Sequence, residues 1–154
     1  MLVLCDIDGC IANPREYVRR YLSGPVKNWK GYYAHTLEMA AIPQITTLLN
    51  GLVWVGAQIV FHTGRNESNR RDTRQWLNSN LAFSVMDEQL VMRRNGDRSL
   101  PALLKLANCM RFRPDLVIED EPETVELLRK HRYTVLQVHG YRMHGDDNRD
   151  NIPE

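Results

Sequence analysis

Cysteine is scarce in this chain: Cys5, Cys10 and Cys109 are the only three among 154 residues. They form neither a Cys-x-x-Cys pair nor an even disulfide framework, so a reducing, cytoplasmic setting is expected. Cys5 reads as a small buried strand residue. An excess of one charge is also missing, since 20 Lys and Arg stand against 19 Asp and Glu for a net charge of +1. No global field draws in a polyanion, and any grip on one must come from a local cluster, for which Arg65, Arg70, Arg71, Arg74, Arg93, Arg94 and Arg98 are the candidates. The longest apolar stretch, around residues 52–61, is too short and too interrupted to span a bilayer, and the N-terminus has no basic run of the signal-peptide kind. A soluble protein without a membrane partner is the expectation. No Gly-x-x-x-x-Gly-Lys-Ser/Thr loop occurs, which excludes a kinase built on that phosphate cradle. There is no internal repeat.

At 43% hydrophobic content the chain can bury one ordinary core, so one domain is the default. Its most informative feature comes first. The apolar run Leu2-Val3-Leu4 leads directly into Cys5-Asp6-Ile7-Asp8-Gly9-Cys10. On a strand, alternate side chains share a face, so Asp6 and Asp8 project together while Ile7 turns into the protein. Two adjacent carboxylates repel unless a cation sits between them or one is protonated, so the pair marks either a metal site or an acid and nucleophile. A strand end followed by a solvated turn accounts for the same residues equally well. Gly9 allows the backbone to leave the strand sharply.

Short β-rich runs recur at 2–6, 57–63, 89–92, 116–120 and 133–138, with helical patterns in most of the intervals. This alternation predicts an α/β fold, a parallel sheet with helices on both faces. Residues 68–81 carry Thr73, Trp76, Leu77 and Leu81 at helical spacing. Ser99-Leu100-Pro101 opens a second helix through Asn108, and Glu121-Pro122-Glu123 a third that closes on Arg129-Lys130-His131-Arg132. Residues 13–51 read as a helical insertion too short to bury a core of its own, and 142–154 as a polar, loose tail, leaving 1–141 as the domain. His139, His144, Asp146 and Asp147 match no specific metal spacing.

Further motifs follow in order: Ile59-Val60-Phe61-His62-Thr63-Gly64-Arg65, Lys105 on the second helix, and Leu116-Val117-Ile118-Glu119-Asp120. Together with Asp6-Ile7-Asp8-Gly9 they resemble the haloacid dehalogenase-like superfamily. Within it, Thr63-Gly64-Arg65, Arg93-x-x-Gly96-Asp97 and Lys105 are similar to the 3′-phosphatase domain of phage polynucleotide kinase. The resemblance implies a three-layer Rossmann-like sheet of order 3-2-1-4-5 without a large cap. It makes Asp6 the nucleophile and Asp8 the general acid and base. Magnesium would be held by Asp6, the Asp8 backbone carbonyl and Asp120, a set of hard oxygen donors suited to that ion. Thr63 and Gly64 would bind the phosphoryl oxygens and Lys105 would neutralise charge on Asp6 and the phosphate, with Glu119 supporting them. Arg65, Arg93, Arg94 and Arg98 are the arginines placed to meet substrate phosphates.

Three positions depart from the family pattern: Cys10 replaces a Thr, Glu119 replaces the first Asp of an acidic pair, and Arg98 follows Asp97 directly. The leading expectation is a magnesium-dependent phosphomonoesterase acting on a phosphorylated nucleic-acid end, with a 5′-nucleotidase or other small-molecule phosphatase as the second reading. A catalytically dead binding protein is the third, and retention of Asp6, Asp8, Lys105 and Asp120 together argues against it. Trp29 and Tyr32 read as core or lid aromatics that can also stack on a base.

Overall fold

The computed structural model describes residues 1–139, so the polar segment 142–154, with His144, Asp146 and Asp147, lies outside the described residues. Five strands form one parallel sheet: β1 (Leu2–Cys5), β2 (Gln58–Asn66), β3 (Leu90–Arg93), β4 (Leu116–Glu119) and β5 (Val135–Gln137), in the order β3-β2-β1-β4-β5. This is the order expected. Helices α1 (Arg15–Tyr21), α2 (Trp29–Ala34), α3 (Pro43–Trp54), α4 (Arg70–Asn80), α5 (Pro101–Phe112) and α6 (Pro122–Lys130) make the connections, together with short 3-10 turns. Among the described residues no helix is long and apolar enough to cross a membrane.

The strands are nearly continuous apolar runs because both faces of the sheet are covered. On one face Val3, Cys5, Ile59, Phe61 and Ile118 pack with Leu49 of α3 and Trp76 and Leu77 of α4. On the other, Leu4, Val60 and Val117 pack with Cys109 of α5 and Leu128 of α6. Tyr17, Leu22, Tyr32 and Met39 join the first of these cores, so residues 13–51 share their apolar burial with the sheet. Pro at the first turn of α3, α5 and α6 costs no intrahelical hydrogen bond and presets φ.

The observed β2 differs from the expected 57–63 in its end. It runs on to Asn66, and its pairing with β3 shifts register between His62 and Asn66. The Thr63-Gly64-Arg65 motif therefore lies within an irregular stretch of strand rather than after it. Such irregularities re-aim side chains at sheet edges and beside functional sites. After β1, Gly9 adopts φ of +84°, and the turn closes as Ile11 and Ala12 donate their N–H groups to the Ile7 carbonyl at 2.9 and 2.8 Å.

His62 is buried without a hydrogen-bond partner on either ring nitrogen. Alternation from Val60 puts it on the α5 face, where burial, and then the charge of Lys105, lower its pKa from 6.5 to about 3. Between those two values the unfolded chain binds a proton that the folded chain refuses, so this residue removes stability as pH falls. We expect His62→Leu to cancel that loss: Tm of the variant relative to wild type should climb steadily as pH is lowered from 6.5 towards 3. A difference that stays constant with pH would refute the assignment.

Candidate active site

In an open parallel sheet, ligands bind beyond the carboxyl ends of the strands where the order reverses. Here the reversal lies between β1 and β4. Cys5 pairs with Ile118, so Asp6 emerges beside Glu119 and Asp120, anchored by a 3.0 Å bond from its N–H to the Ile118 carbonyl. A cleft of about 1110 Å³ opens above, lined among others by Asp6, Asp8, Thr63, Gly64, Lys105 and Asp120.

Lys105 reaches this edge from α5. Its Nζ donates to Asp6 Oδ2 at 2.6 Å and to Glu119 Oε1 at 2.8 Å, and lies 2.7 Å from Glu119 Oε2. Burial disfavours the ammonium, yet Asp6, Glu119 and Asp120 outweigh it and raise the Lys105 pKa well above its ordinary value. Glu119 Oε1 also accepts the N–H groups of Asp120 and Glu121, both at 3.2 Å, which pins the turn after β4. Asp6 Oδ1 and Asp120 Oδ2 are buried and without partners. Burial pushes both carboxyls above the usual carboxylate range, Asp6 with Glu119 adding to the rise and Lys105 opposing it, Asp120 with Asp6 and Glu119 adding. One ammonium faces three carboxylates. The orphaned hard oxygens and the surplus negative charge fit a divalent cation such as magnesium between Asp6 and Asp120.

Asp8 is placed differently from Asp6. Its carboxylate is gripped by the Arg65 fork, Nε to Oδ2 at 2.8 Å and Nη2 to Oδ1 at 2.6 Å, and Tyr32 donates its hydroxyl to Oδ1 at 2.9 Å. Arg65 is 1% exposed, and the same guanidinium reaches Thr73 Oγ1 at 3.3 Å. Burial opposes the Arg65 charge, and Asp8 overcomes it, so the pKa of Arg65 is raised. The guanidinium expected to meet substrate phosphate is thus committed to Asp8. The Asp8 side chain likewise stands apart from the clustered donor atoms of Asp6, Cys10 and Asp120, leaving its backbone carbonyl as the group the resemblance assigns to the metal.

Arg93 lines the cleft but its fork is spent on backbone: Nε to Gly64 O at 3.2 Å, and Nη1 to Asp97 O at 3.3 Å and Ser99 O at 2.8 Å. Arg94 and Arg98 are exposed and do not line the cleft, although Asp97 between them does. Arg70 and Arg74 are held in surface ion pairs with Glu67 and Asp87. Trp29, 37% exposed, stacks on Tyr33 at 5.9 Å, and both line the cleft with Lys30. Tyr32 is core, its hydroxyl serving Asp8 rather than a base.

Two features escaped the sequence reading. The Tyr32 hydroxyl reaches Asp8 from 24 residues away, and no local pattern announces it. Cys10 puts Sγ 3.9 Å from Asp120 Oδ1, for which its place directly after Asp-x-Asp-Gly was the available signal.

The family pattern described as “Polynucleotide kinase PNKP phosphatase domain” matches residues 1–141. No curated protein matches the sequence. Among solved structures, a chain of the Pnkp1/Rnl/Hen1 RNA repair complex is similar at TM-score 0.71 and 16% identity, over 89% of this chain and 42% of that one. Class C acid phosphatase from Bacillus anthracis, with tungstate bound, gives TM-score 0.67 and 11% identity over 99% of this chain and 79% of that one. CbbY from Rhodobacter sphaeroides, in complex with phosphate, gives 0.62 and 11% over 96% and 90%. The chain therefore spans well under half the length of the RNA repair protein it matches.

Removing one partner of a buried ion pair leaves the other uncompensated. Arg65→Met should therefore cost about 3–5 kcal/mol of stability, with Arg65→Lys between it and wild type because an ammonium cannot reproduce the bidentate fork. Chemical denaturation of the three proteins checks this, and a neutral Arg65→Met would show that the pair contributes nothing.

Proposed function

Because the chain belongs to the polynucleotide kinase PNKP phosphatase domain family of the haloacid dehalogenase-like fold, we propose that it hydrolyses phosphate monoesters through phosphorylated Asp6, with magnesium as cofactor, and that its substrate is a polynucleotide 3′-phosphate end. The observation that carries this reading is the Asp6 carboxylate: one oxygen is held by Lys105 at 2.6 Å while the other is without a partner. A carboxylate anchored by Lys105 is held in a fixed position for attack, with one oxygen for phosphorus and one for a cation.

In the first step one carboxylate oxygen of Asp6 bonds to phosphorus, the ester P–O bond breaks, and Asp8 delivers a proton to the departing alkoxide. In the second, Asp8 takes a proton from water, the water oxygen bonds to phosphorus, and the Asp6–phosphorus bond breaks to release phosphate. The Arg65 fork and the Tyr32 hydroxyl fix the position of the Asp8 carboxyl, from which it exchanges a proton first with the leaving oxygen and then with water. Asp6 and Asp120 would hold magnesium, which would supply charge stabilisation for the phosphoryl oxygens. Lys105 neutralises the same region from α5, with Glu119 fixing its position. Thr63 Oγ1 already accepts the Arg65 N–H at 3.1 Å, which turns the irregular strand so that Thr63 and Gly64 line the cleft as phosphate donors.

The polymer preference is supported by family membership and by the aromatic pair Trp29 and Tyr33 with Lys30 at the cleft wall, a surface suited to stacking a terminal base. Arg94 and Arg98, exposed on either side of Asp97, supply charge for phosphates further along the strand.

Asp6→Asn should release no phosphate from a 3′-phosphorylated oligonucleotide, and chelation of divalent cations should stop the wild type. Turnover that survives either treatment would remove the proposal. The oligonucleotide should be used more efficiently than a free nucleoside 5′-monophosphate. Arg94→Ala with Arg98→Ala should raise its KM by a larger factor than that of the mononucleotide, most clearly at low salt. Preference for 5′-nucleotides, indifferent to salt, would make the chain a nucleotidase with the same aspartate chemistry.

Gly64 offers a separate check, because a Cβ there meets nothing within 4 Å. Gly64→Ala should keep the wild-type Tm yet lower kcat/KM about 10- to 100-fold by displacing the phosphoryl group. Full activity in that variant would place the phosphate elsewhere.

A further inference from the structure

The carboxylate pair at the cleft floor has a third neighbour that is not an oxygen. One ligand atom each from Asp6, Cys10 and Asp120 lie within 4.8 Å of one another, and all three side chains are buried. The Cys10 thiol points at Asp120, with Sγ 3.9 Å from Oδ1. A separate observation marks this place as a ligand site: Asp6 Oδ1 and Asp120 Oδ2, on residues 5% and 2% exposed, have no partner among the described residues. Resting on the reading that Asp6 and Asp120 hold a divalent cation, we propose that Cys10 is a further metal ligand and that the site accepts thiophilic divalent cations, of the zinc and cadmium class, through an S,O,O donor set.

Geometry and chemistry agree on this. Metal–sulfur bonds of about 2.3 Å and metal–oxygen bonds of about 2.0–2.2 Å in tetrahedral geometry set donor atoms roughly 3.5 Å apart, so a cluster whose atoms lie within 4.8 Å of one another draws in by up to about an ångström on binding. Gly9, with its positive φ, and the hydrogen bonds converging on the Ile7 carbonyl fix the backbone that carries Cys10. Asp6 and Asp120 line the cleft, which gives a cation its path to Sγ. Magnesium prefers hard oxygens and leaves the thiol protonated, whereas a soft cation displaces the thiol proton: the S–H bond breaks, the S–metal bond forms, and the proton passes to solvent. The same position occupied by a hydroxyl residue offers no such choice, so this one side chain decides between an oxygen-only site and a mixed one.

The test is cadmium titration of the metal-free protein, read by sulfur-to-cadmium charge-transfer absorbance in the ultraviolet and by calorimetry. Wild type should bind one equivalent with the thiolate band. Cys10→Ser, shown to be folded by circular dichroism and with Cys5 and Cys109 intact, should lose the band and about tenfold or more in cadmium affinity, while magnesium affinity changes far less. Asp120→Asn should weaken both metals. If cadmium binds wild type and Cys10→Ser equally and without a thiolate band, Cys10 is no ligand and the inference fails while the carboxylate metal site stands. If neither metal binds wild type, both fail.

Discussion

Everything at the catalytic edge depends on where one ammonium sits. Lys105 Nζ is shared between Asp6 and Glu119, with Asp120 alongside. Three buried carboxylates without it would repel strongly enough to keep protons or drive the strand ends apart. With it, Asp6 is fixed through one oxygen and Glu119 braces the turn after β4. The residual negative charge is left at the place where two oxygens have no partner. A buried ion pair seldom adds much net stability, so this one is better understood as a device that fixes the Asp6 carboxylate and leaves a cation-shaped deficit beside it.

A second charge pair, Asp8 with Arg65, has partners of its own, although the Asp8 charge still adds to the rise at Asp6. Although Asp6 and Asp8 are separated by a single residue, one carboxylate faces Lys105 and the other an arginine fork and a phenol. Two carboxylates of the same type thereby acquire different surroundings, which is how paired acids take on separate tasks.

Much of this was legible before the structure. Apolar strand runs separated by helical periods specify parallel β/α alternation, and in such a sheet residues at strand ends meet even when they are far apart in sequence. The strand order that brings Asp6 and Asp120 together, and the place of Lys105 beside them, came from the resemblance to the haloacid dehalogenase-like superfamily. What the sequence hid has a physical reason in each case. The Thr-Gly pair looks like a strand terminus, yet β2 runs past it because pairing with β3 resumes at Asn66 and Arg93. Arg65 looks like a phosphate ligand, but burial makes a bidentate carboxylate its better partner. Tyr32 looks like a core aromatic, which it is; only tertiary packing discloses that its hydroxyl ends on Asp8. Cys10 looks like the loss of a hydroxyl until its sulfur is seen against Asp120.

The Arg93 side chain ties the segment after β3 to β2 chiefly through carbonyl oxygens, those of Asp97 and Ser99 on the segment and Gly64 on the strand, with the Asp97 carboxylate a looser partner at 4.0 Å. Carbonyls are common to all residues, so apart from Asp97 the clamp is blind to the identity of the side chains it secures. Arg94, Asn95 and Arg98 can therefore be exchanged without loosening the frame on which Asp6 and Lys105 are mounted. The segment behaves as an interchangeable tooth on a fixed gear: its exposed side chains can change while the carboxylate and lysine cluster stays as it is.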